Sequence, residues 1–397
     1  MLRVLSFTSL FPNCEQPRHG IFIRTRLAEL SRSDEVALRV IAPIPWFPFR
    51  AERFGRFGAY ARVPGEECWG DLRILHPRYL SVPRLGRLSN PVAMAVGSYR
   101  AARGLIAAGF EFDLIDAHYL FPDAVAASFL ARWLDKPLMV TARGSDLNQW
   151  PELPAPRRAM IRMARQASAC VAVSASLARR YAVLGVPAAN VSVIRNGVDT
   201  DLFHDRDREG CRSALGLEGH VVLSVGNLIE LKGHHLVIEA IAQMPHSTLV
   251  VIGEGQEYAA LRALCNRLGV EERVRFVGVI PQDALRRYYV AADALVLASR
   301  SEGWPNVLLE AMACGTPVVA TPVGAAPEIV TSRAFGRLLP GRDAGSVRGS
   351  LIELRATGVD RLRVREHAQK FGWAAVTAAQ IECMRRAVAG GSLRAAA

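Results

Sequence analysis

Short apolar segments alternate with helix-length amphipathic segments along almost the whole chain of 397 residues. Intervals such as 21–30 and 92–107 carry apolar residues at i, i+3 and i+4, which predicts helices. Apolar strands separated by crossover helices are buried on both faces of parallel sheets, so the pattern predicts a doubly wound α/β architecture. The predicted strands are 2–7, 36–41, 72–75, 114–115, 138–141, 169–173, 191–194, 221–225, 248–252, 274–277, 294–297 and 317–320.

The chain is expected to divide near residue 196. The turn-forming pair Asn196-Gly197 is followed by a charged stretch, 201–212, before the strand pattern resumes. At roughly 100–200 residues per domain, the length fits two domains. We predict an N-terminal Rossmann-like domain over 1–196 and a second over 197–371, with a terminal helix at about 372–390 that packs back on the first.

Composition excludes several classes of protein. Half of the residues are hydrophobic and 22% are charged, which supports buried cores and excludes disordered and collagen-like chains. No apolar run reaches the roughly 18 residues of a membrane-spanning helix, and the apolar start indicates a first strand rather than a signal peptide. The seven cysteines are scattered without CxxC spacing, which favours a reducing cytoplasm over a disulfide scaffold or a zinc site.

The positive charge is concentrated in the first half of the chain. Residues 1–200 contain 26 basic and 16 acidic side chains, and the remainder 23 and 21. A basic half is suited to nucleic acid, anionic lipid or a phosphorylated substrate. The long segment 43–69 mixes aromatic residues with arginines. We expect either a solvated loop with anchoring aromatics or a basic-aromatic patch that meets a membrane surface or an anionic acceptor.

The segment 299–323 carries the most chemistry. Pro305 follows a polar loop and is suited to the first position of a helix, whose free amides at 306–308 would form an anion site at the end of a strand. Glu302 lies just before this helix and Glu310 about five residues inside it, a rise of about 7–8 Å. The two carboxylates can flank a bound diphosphate, with sugar hydroxyls at one and ribose hydroxyls at the other. The alternative is one solvated loop glutamate and one ordinary helix glutamate.

This segment, SRSEGWPNVLLEAMACGTPVVATPV, resembles the signature of the retaining glycosyltransferases of family 4, which have the GT-B fold. Other pieces agree in order along the chain: Asn-Gly-Val-Asp at 196–199, the strand and loop at 225–233, and the stretch 324–328. The resemblance implies an α/β, GT-B architecture in which two Rossmann-like domains face an interdomain cleft. It also implies a metal-independent enzyme that uses a nucleotide diphosphate sugar as co-substrate and no other cofactor.

In the second domain, the resemblance implies that Lys232 neutralises the departing diphosphate and that Glu302 contacts the donor sugar. It places Glu310 at the ribose and the amides near Asn306 and Val307 at the diphosphate. Two further residues of this domain are expected at the donor. They are Gly303, and Asn227, which stands where the family often has an arginine.

In the first domain, the resemblance implies that His118, at the end of a strand, lies against the donor sugar. Arg143 and Asp146 belong to a segment similar to the family's Thr-x-His-Gly-x-Asp pattern, with Arg143 in the place of the histidine. They are expected on the acceptor side, or else to form a strand-terminal turn. Gly20, which opens the first helix, would let the backbone approach donor or acceptor closely.

Two patterns that suggest metals are set aside. Asp-x-Asp occurs at 199–201 and at 205–207, but both lie in the interdomain stretch with no strand end to present them. His234 and His235 are adjacent in sequence and diverge on a helix, so they do not form a zinc pair. We therefore predict no metal site.

The sequence and the resemblance thus predict a hexosyltransferase-type enzyme that moves a UDP- or GDP-linked sugar to a saccharide or lipid-linked saccharide, and we expect it to act in cell-surface or exopolysaccharide biosynthesis. The resemblance implies front-face attack with retention. We expect a cytoplasmic protein with peripheral contact to an anionic membrane and no nucleic-acid partner. The alternatives are a sugar-nucleotide epimerase of similar architecture and a non-catalytic basic binding protein.

Overall fold

The computed structural model describes residues 1–81 and 86–390, without the side chains of residues 86–89. Contacts divide the chain into two units. Unit 1 comprises Met1–Arg195 and Ala374–Ala397, and unit 2 comprises Asn196–Trp373. The chain passes from unit 1 to unit 2 after Arg195 and returns to unit 1 after Trp373. Each of these points lies within two residues of the boundary expected from sequence.

Unit 1 alternates strands and helices from its first residues. Its strands are β1 (Leu2–Phe7), β2 (Val36–Ile41), β3 (Ile44–Pro45), β4 (Glu66–Trp69), β5 (Leu72–Leu75), β6 (Arg78–Tyr79), β7 (Leu114–His118), β8 (Leu138–Ala142), β9 (Ala169–Ala172) and β10 (Val191–Val193). Its helices before the crossing are α1 (Ile21–Ser31), α2 (Gly55–Arg62), α3 (Gly86–Ala107), α4 (Val125–Leu134), α5 (Ser145–Gln149), α6 (Pro154–Gln166) and α7 (Ala175–Arg180).

Strand order in the main sheet of unit 1 is β10-β9-β8-β7-β1-β2-β5-β4, and only its edge strand β4 is antiparallel. Val4, Leu5 and Phe7 of β1 are fully buried, as expected for a central strand covered on both faces. The chain runs outward from β1 through β2 and returns to β7 on the other side. The strand order therefore reverses between β1 and β7, and such a switch point is where open α/β sheets bind ligands.

Unit 2 repeats the pattern. Its strands are β11 (His220–Val225), β12 (Ser247–Ile252), β13 (Val274–Gly278), β14 (Ala294–Leu297), β15 (Val318–Ala320) and β16 (Gly336–Leu338). Its helices are α8 (Arg208–Leu215), α9 (His234–Ala242), α10 (Tyr258–Leu268), α11 (Gln282–Ala291), α12 (Asn306–Ala313), α13 (Ala326–Ile329), α14 (Ala344–Thr357) and α15 (Arg361–Gln369). The sheet is parallel, in the order β13-β12-β11-β14-β15-β16, so its switch point lies between β11 and β14.

The last helix, α16 (Trp373–Gly390), carries the chain back to unit 1. Ile381 and Met384 are almost completely buried in the apolar cluster of unit 1, which also includes Val4 of β1 and Leu27 of α1. The apolar side of α16 thus completes the core of a unit whose other helices and strands all end by Val193.

The expectation of a long loop over 43–69 is wrong. The segment contains β3, α2 and β4. Helix α2 includes Gly55 and Gly58, which lower helix propensity, and β4 is an edge strand with Glu66 and Glu67 in place of an apolar run. Local sequence therefore carries little signal for either element.

Among the described residues, none of the helices combines the length and apolar character required to cross a bilayer.

Replacing Ile381 by alanine should lower the free energy of unfolding by about 2–5 kcal/mol, because the side chain is 2% exposed and its removal leaves a cavity. Ile352 of α14 is 52% exposed and provides the control, since Ile352→Ala should change stability by less than about 0.5 kcal/mol. Urea denaturation measures both. Equal losses would contradict the docking of α16 in the core of unit 1.

Candidate functional site

The residues predicted to handle a diphosphate lie at the switch point of unit 2. Lys232 ends a short 3-10 turn between β11 and α9, and Glu302 lies in the loop between β14 and α12. Because β11 and β14 are hydrogen-bonded neighbours, both loops leave the same edge of the sheet. The fold therefore brings together two residues that are 70 positions apart.

Lys232 and Glu302 form an ion pair. Lys232 Nζ donates to Glu302 Oε1 over 2.6 Å, and Ser299 Oγ donates to the same oxygen over 2.6 Å. The lysine side chain is 23% exposed and the glutamate 10% exposed, so both remain accessible to a ligand. The methylenes of Lys232 lie next to Gly226, where an added Cβ would be 3.7 Å away. The pair thus presents a cation and a hydrogen-bond acceptor at one point of the edge.

Close backbone contacts hold the Glu302 loop in place. Gly324 has φ +56°, and a Cβ there would lie 2.3 Å from the carbonyl oxygen of Glu302. Gly233 has φ +72°, and a Cβ there would lie 2.2 Å from the carbonyl oxygen of Ala298. Any side chain at either glycine would push the loops apart, so both positions require glycine.

His234 fixes the loop that follows β11. Its Nδ1 is 2.7 Å from Ser224 Oγ and its Nε2 is 3.2 Å from the carbonyl oxygen of Asn227. Burial lowers the pKa of His234 to about 4, so the ring is neutral and donates to Asn227 through Nε2 while Nδ1 accepts from Ser224. Sequence reasoning considered His234 only as a zinc ligand and missed this function. A serine inside β11 and a histidine at the start of the next helix were the available signal.

Helix α12 begins at Asn306, one residue later than expected, and Pro305 is its N-cap. The amide of Leu308 is not free, because it donates to the carbonyl oxygen of Pro305 over 3.1 Å. The amides of Asn306 and Val307 donate to no acceptor in the part of the chain that the structure describes. The expected anion site is therefore narrowed to two amides at the positive end of this helix.

Other residues border the start of α12. Asn196 Nδ2 donates to Asn306 Oδ1 over 3.2 Å, which connects the Asn-Gly turn to this helix. Gly303 lies in the preceding loop and is partly exposed. Asn227 lies on the neighbouring loop with its carbonyl held by His234. Asn227, Gly303 and Asn306, the three residues expected at the donor, therefore lie in loops or at a helix start on the same edge of the sheet of unit 2.

Glu310 lies one turn further along α12. Tyr289, fully buried on α11, donates its hydroxyl to Glu310 Oε2 over 2.9 Å. Burial raises the pKa of Glu310 to about 7, and the hydrogen bond from Tyr289 opposes this shift. The carboxyl group is thus oriented by one phenol and has a second oxygen with which to accept a further hydrogen bond.

His118 is at the end of β7 in unit 1, as expected, but its side chain has no exposed surface. An Nη2 of Arg143 lies 2.8 Å from His118 Nδ1, and Nε2 lies 3.3 Å from Asp116 Oδ2. A guanidinium only donates, so Nδ1 must accept and the neutral ring carries its proton on Nε2, which is close to Asp116 but makes no hydrogen bond to a described residue. The structure shows His118 linking Arg143 to Asp116.

The residue after His118 is strained. Tyr119 has φ +77°, which is unfavourable for any residue other than glycine, and its hydroxyl is 3.0 Å from Ser145 Oγ. Strain of this kind concentrates at functional sites. At the end of β7, the surrounding structure therefore holds the Tyr119 backbone in a conformation that a tyrosine does not favour.

Asp146 is fully buried and braces the turn after β8. Its carboxylate accepts backbone amides from Leu120 at 2.9 Å, Arg143 at 3.0 Å, Gly144 at 2.7 Å and Leu147 at 3.0 Å. With both oxygens used in this way, the geometry matches the strand-terminal turn that was the alternative to an acceptor contact. Arg143 is 8% exposed, and burial lowers its pKa to about 9.

Gly20 precedes α1 with φ +70°, and a Cβ there would lie 2.0 Å from the carbonyl oxygen of Leu10. Its lack of a side chain is thus required by the chain itself. The loop after β1 is also held by Asp123, which sequence reasoning missed. Asp123 Oδ1 accepts from the amide of Ser9 over 3.0 Å, and burial raises the pKa of Asp123 to about 7.

The Asp-x-Asp segments have local structural partners. Asp199 accepts the amides of Asp201 and Leu202, Asp205 pairs with Arg365, and Asp207 caps α8. Over residues 1–81 and 86–390, no three His, Cys, Asp or Glu side chains are grouped so as to hold a metal ion.

Comparison with known proteins shows two family matches and a shared fold. The profile described as "Glycosyl transferases group 1" matches residues 206–371, and that of "Glycosyltransferase Family 4" matches residues 25–202. A D-inositol 3-phosphate glycosyltransferase of Mycobacterium marinum is 36% identical over 214 residues, which are 50% of this chain and 46% of that protein. The chain therefore spans about half the length of the curated relatives it matches.

Two solved structures cover almost the whole chain. HepE from Anabaena in complex with UDP has a TM-score of 0.72 at 21% identity over 97% of this chain and 100% of that one. Sucrose-phosphate synthase from Thermosynechococcus elongatus has a TM-score of 0.79 at 20% identity over 98% and 100%. These similarities confirm the predicted fold class.

Replacing Glu310 by glutamine should stabilise the protein increasingly as pH rises. The folded pKa of about 7 lies above the ordinary value of about 4.3, so the folded state holds a proton that the unfolded state has lost between these values. Wild-type stability therefore falls as pH rises from about 4.3 to 7. Glutamine keeps an acceptor for Tyr289 without ionising.

Thermal unfolding between pH 5 and pH 8 measures this effect as the difference in Tm between Glu310→Gln and wild type. Glu218→Gln, at an exposed position shortly before β11, is the control for changes in net charge. A difference that stays constant with pH would show that Glu310 ionises normally.

Proposed function

The chain belongs to the GT-B glycosyltransferases of family 4, and on this premise we propose that it transfers a sugar from a nucleotide diphosphate sugar to a saccharide or lipid-linked saccharide. The observation that carries the proposal is the Lys232–Glu302 pair, partly exposed at the switch point of unit 2. A transferase needs a fixed cation where the diphosphate leaves and an acceptor for sugar hydroxyls beside it. The pair supplies both.

In the proposed complex, unit 2 binds the donor. Lys232 and the amides of Asn306 and Val307 contact the diphosphate, and Glu302 accepts hydrogen bonds from the sugar. Glu310 accepts from ribose hydroxyls through the oxygen that Tyr289 does not occupy. The HepE fold relative was solved with UDP-glucose, which favours UDP over GDP as the first nucleotide to test.

We propose transfer with retention by attack on the face from which the diphosphate departs, with the leaving phosphate accepting the proton of the incoming hydroxyl. The carboxylates of Asp116, Asp123 and Asp146, which lie near the edge of unit 1, are each fully buried. None of these three can reach a sugar carbon as a nucleophile. Lys232 supplies the positive charge that a metal provides in other transferases, so the reaction is proposed to be metal-independent.

In unit 1, burial revises the role proposed for His118. The ring has no surface with which to touch a sugar, so we assign it to holding Arg143 through Nδ1. Asp146 fixes the turn that carries Arg143. Arg143 is then the residue of this group proposed for the acceptor side, where a guanidinium suits an anionic substrate. The mycobacterial relative is named for a phosphorylated substrate, which supports an anionic acceptor.

Lys232→Ala should weaken UDP binding at least about tenfold, because one ion pair with a diphosphate oxygen is lost, and a tenfold loss is about 1.4 kcal/mol. Isothermal titration with UDP and GDP measures this. Lys370→Ala is a matched control, since Lys370 is an exposed lysine of the same unit. Wild-type affinity in Lys232→Ala would refute the assignment of the diphosphate site.

The epimerase and the transferase predict different products. An epimerase converts UDP-glucose without a second substrate, whereas the proposed transferase releases UDP in step with transfer to an added acceptor. Incubation of the full chain with radiolabelled UDP-glucose and extracted membrane lipids separates them. Label that stays in UDP-sugars of altered configuration would favour the epimerase, and a non-catalytic protein would leave the donor unchanged.

We further propose that unit 1 contacts an anionic membrane through an aromatic-basic patch, defined here as Trp46–Tyr60. Trp46 is 51% exposed, Phe49 56% and Phe57 36%. The exposed Arg53 and Arg56 lie over neighbouring phenyl rings. Exposed aromatics beside arginines are typical of interfacial binding, and the basic excess of residues 1–200 favours an anionic surface.

Trp46→Ser combined with Phe49→Ser should reduce binding to phosphatidylglycerol-containing vesicles at least about tenfold, since each buried aromatic contributes about 1.5–3 kcal/mol. Co-sedimentation measures the bound fraction. Ile352→Ser combined with Leu362→Ser removes comparably exposed apolar side chains from unit 2 and should leave binding unchanged. Equal binding by wild type and the patch variant would remove the patch from the proposal.

A further inference from the structure

A buried chain of polar contacts in unit 1 connects helix α16 to the end of β7. Gln380 of α16 is 1% exposed. Its Oε1 accepts from Nε of Arg26 over 2.7 Å, and its Nε2 donates to Asp116 Oδ2 over 3.2 Å. Arg26 lies on α1 and Asp116 on β7, so one side-chain amide bridges a buried cation and a buried carboxylate from two other elements.

This series of side-chain contacts, called the polar chain below, continues from Asp116 through His118 to Arg143. Asp116 Oδ2 also lies 3.3 Å from Nε2 of His118, an electrostatic contact without hydrogen-bond geometry, and the opposite nitrogen accepts from Arg143 at 2.8 Å. The order is therefore Arg26, Gln380, Asp116, His118, Arg143. Every member is at most 8% exposed.

The two contacts of Gln380 require a side chain that both accepts and donates, which its amide does with two different atoms. It must accept from a guanidinium, which cannot accept in return, and donate to a carboxylate. A glutamate would keep the first contact and place a second carboxylate against Asp116. A methionine would fill the volume and lose both contacts, leaving a buried charge on each side with one partner fewer.

Docking of α16 does not require these contacts. Ile381, Cys383, Met384 and Ala387 of the same helix are at most 2% exposed in the apolar cluster of unit 1. Their burial already attaches the helix to the unit, at about 25 cal/mol for each Å² of apolar surface. The polar chain thus accounts for something that apolar packing does not provide, the direction in which Asp116 and His118 are held.

We propose that Gln380 is a positioning residue for sugar transfer: it holds the Asp116 carboxylate, which orients the His118 ring so that Nδ1 receives Arg143. The inference rests on the proposed function, because it assigns Arg143 to the acceptor side. Helix α16 is thereby a functional element of unit 1 and not only part of its core. A displaced Arg143 lowers the rate of transfer more than the affinity for the donor, which is bound by unit 2 in the proposal.

Two substitutions in the full chain test this, Gln380→Met and Gln380→Glu. Met384→Ala is the matched control, since it removes a fully buried side chain from the same helix without touching the polar chain. The first readout is the side-chain 15N spectrum of histidine-labelled protein, with His118 assigned from the spectrum of His118→Gln. The second is kcat and KM for UDP release from UDP-glucose with extracted membrane lipids added as acceptor, and thermal unfolding is the check on folding.

We expect Gln380→Met and Gln380→Glu to shift the His118 ring nitrogens away from the pattern with the proton on Nε2. We expect kcat to fall about tenfold or more with KM for UDP-glucose nearly unchanged. Met384→Ala should lower Tm and leave both the His118 signals and kcat near wild type.

Unchanged His118 signals in folded Gln380→Met would overturn the inference while the proposed function stands. An equal loss of kcat in Met384→Ala at a similar Tm would also overturn it, by showing that stability alone accounts for the effect. Absence of any turnover of UDP-sugars or GDP-sugars by wild type would instead overturn the proposed function, and with it the transfer role of Gln380.

Discussion

The ion pair between Lys232 and Glu302 depends on the arrangement of the whole of unit 2. The two residues are 70 positions apart and meet because β11 and β14 are neighbours at the reversal of strand order. Parallel strands put all their carboxyl ends at one edge, so the loops after them are brought together without any local encoding. Two further contacts fix these loops: Gly324 packs against the backbone of Glu302, and His234 hydrogen-bonds the carbonyl of Asn227 in the loop after β11.

The parts of the fold and site that can be predicted from sequence are those encoded by residues close together in the chain. The strands 2–7 and 294–297 were predicted with the bounds that β1 and β14 have, because both are dominated by apolar residues: β14 is an apolar run, and only Arg3 and Ser6 interrupt the run of β1. Helix α2 and strand β4 were missed, since neither contains such a run. Among the site residues, Lys232 and Glu302 were proposed from motifs only a few residues long.

The contacts that sequence reasoning missed join segments far apart in the chain. Gln380 and Asp116 are 264 positions apart, and no sequence pattern around either residue indicates contact with the other. His234 and Asp123 were missed for a related reason: their function is to hold a backbone group, and a backbone group leaves no trace in the sequence. Burial could not be foreseen for His118 either, because a strand end is equally compatible with an exposed and a covered side chain.

The polar side chains of the two units differ in exposure, and this difference determines which of them can contact a ligand. In unit 1 the ring of His118 and the carboxylates of Asp116 and Asp146 are fully covered and bonded to protein groups, so they can orient neighbours but not bind a ligand themselves. In unit 2 Lys232 and Glu302 keep exposed surface beside their mutual contact. These side chains of unit 2 can therefore contact a charged ligand directly, whereas in the proposed function unit 1 would act through the position in which it holds Arg143. This asymmetry is why a substitution in the covered chain of unit 1 should separate rate from donor affinity, and one at Lys232 should not.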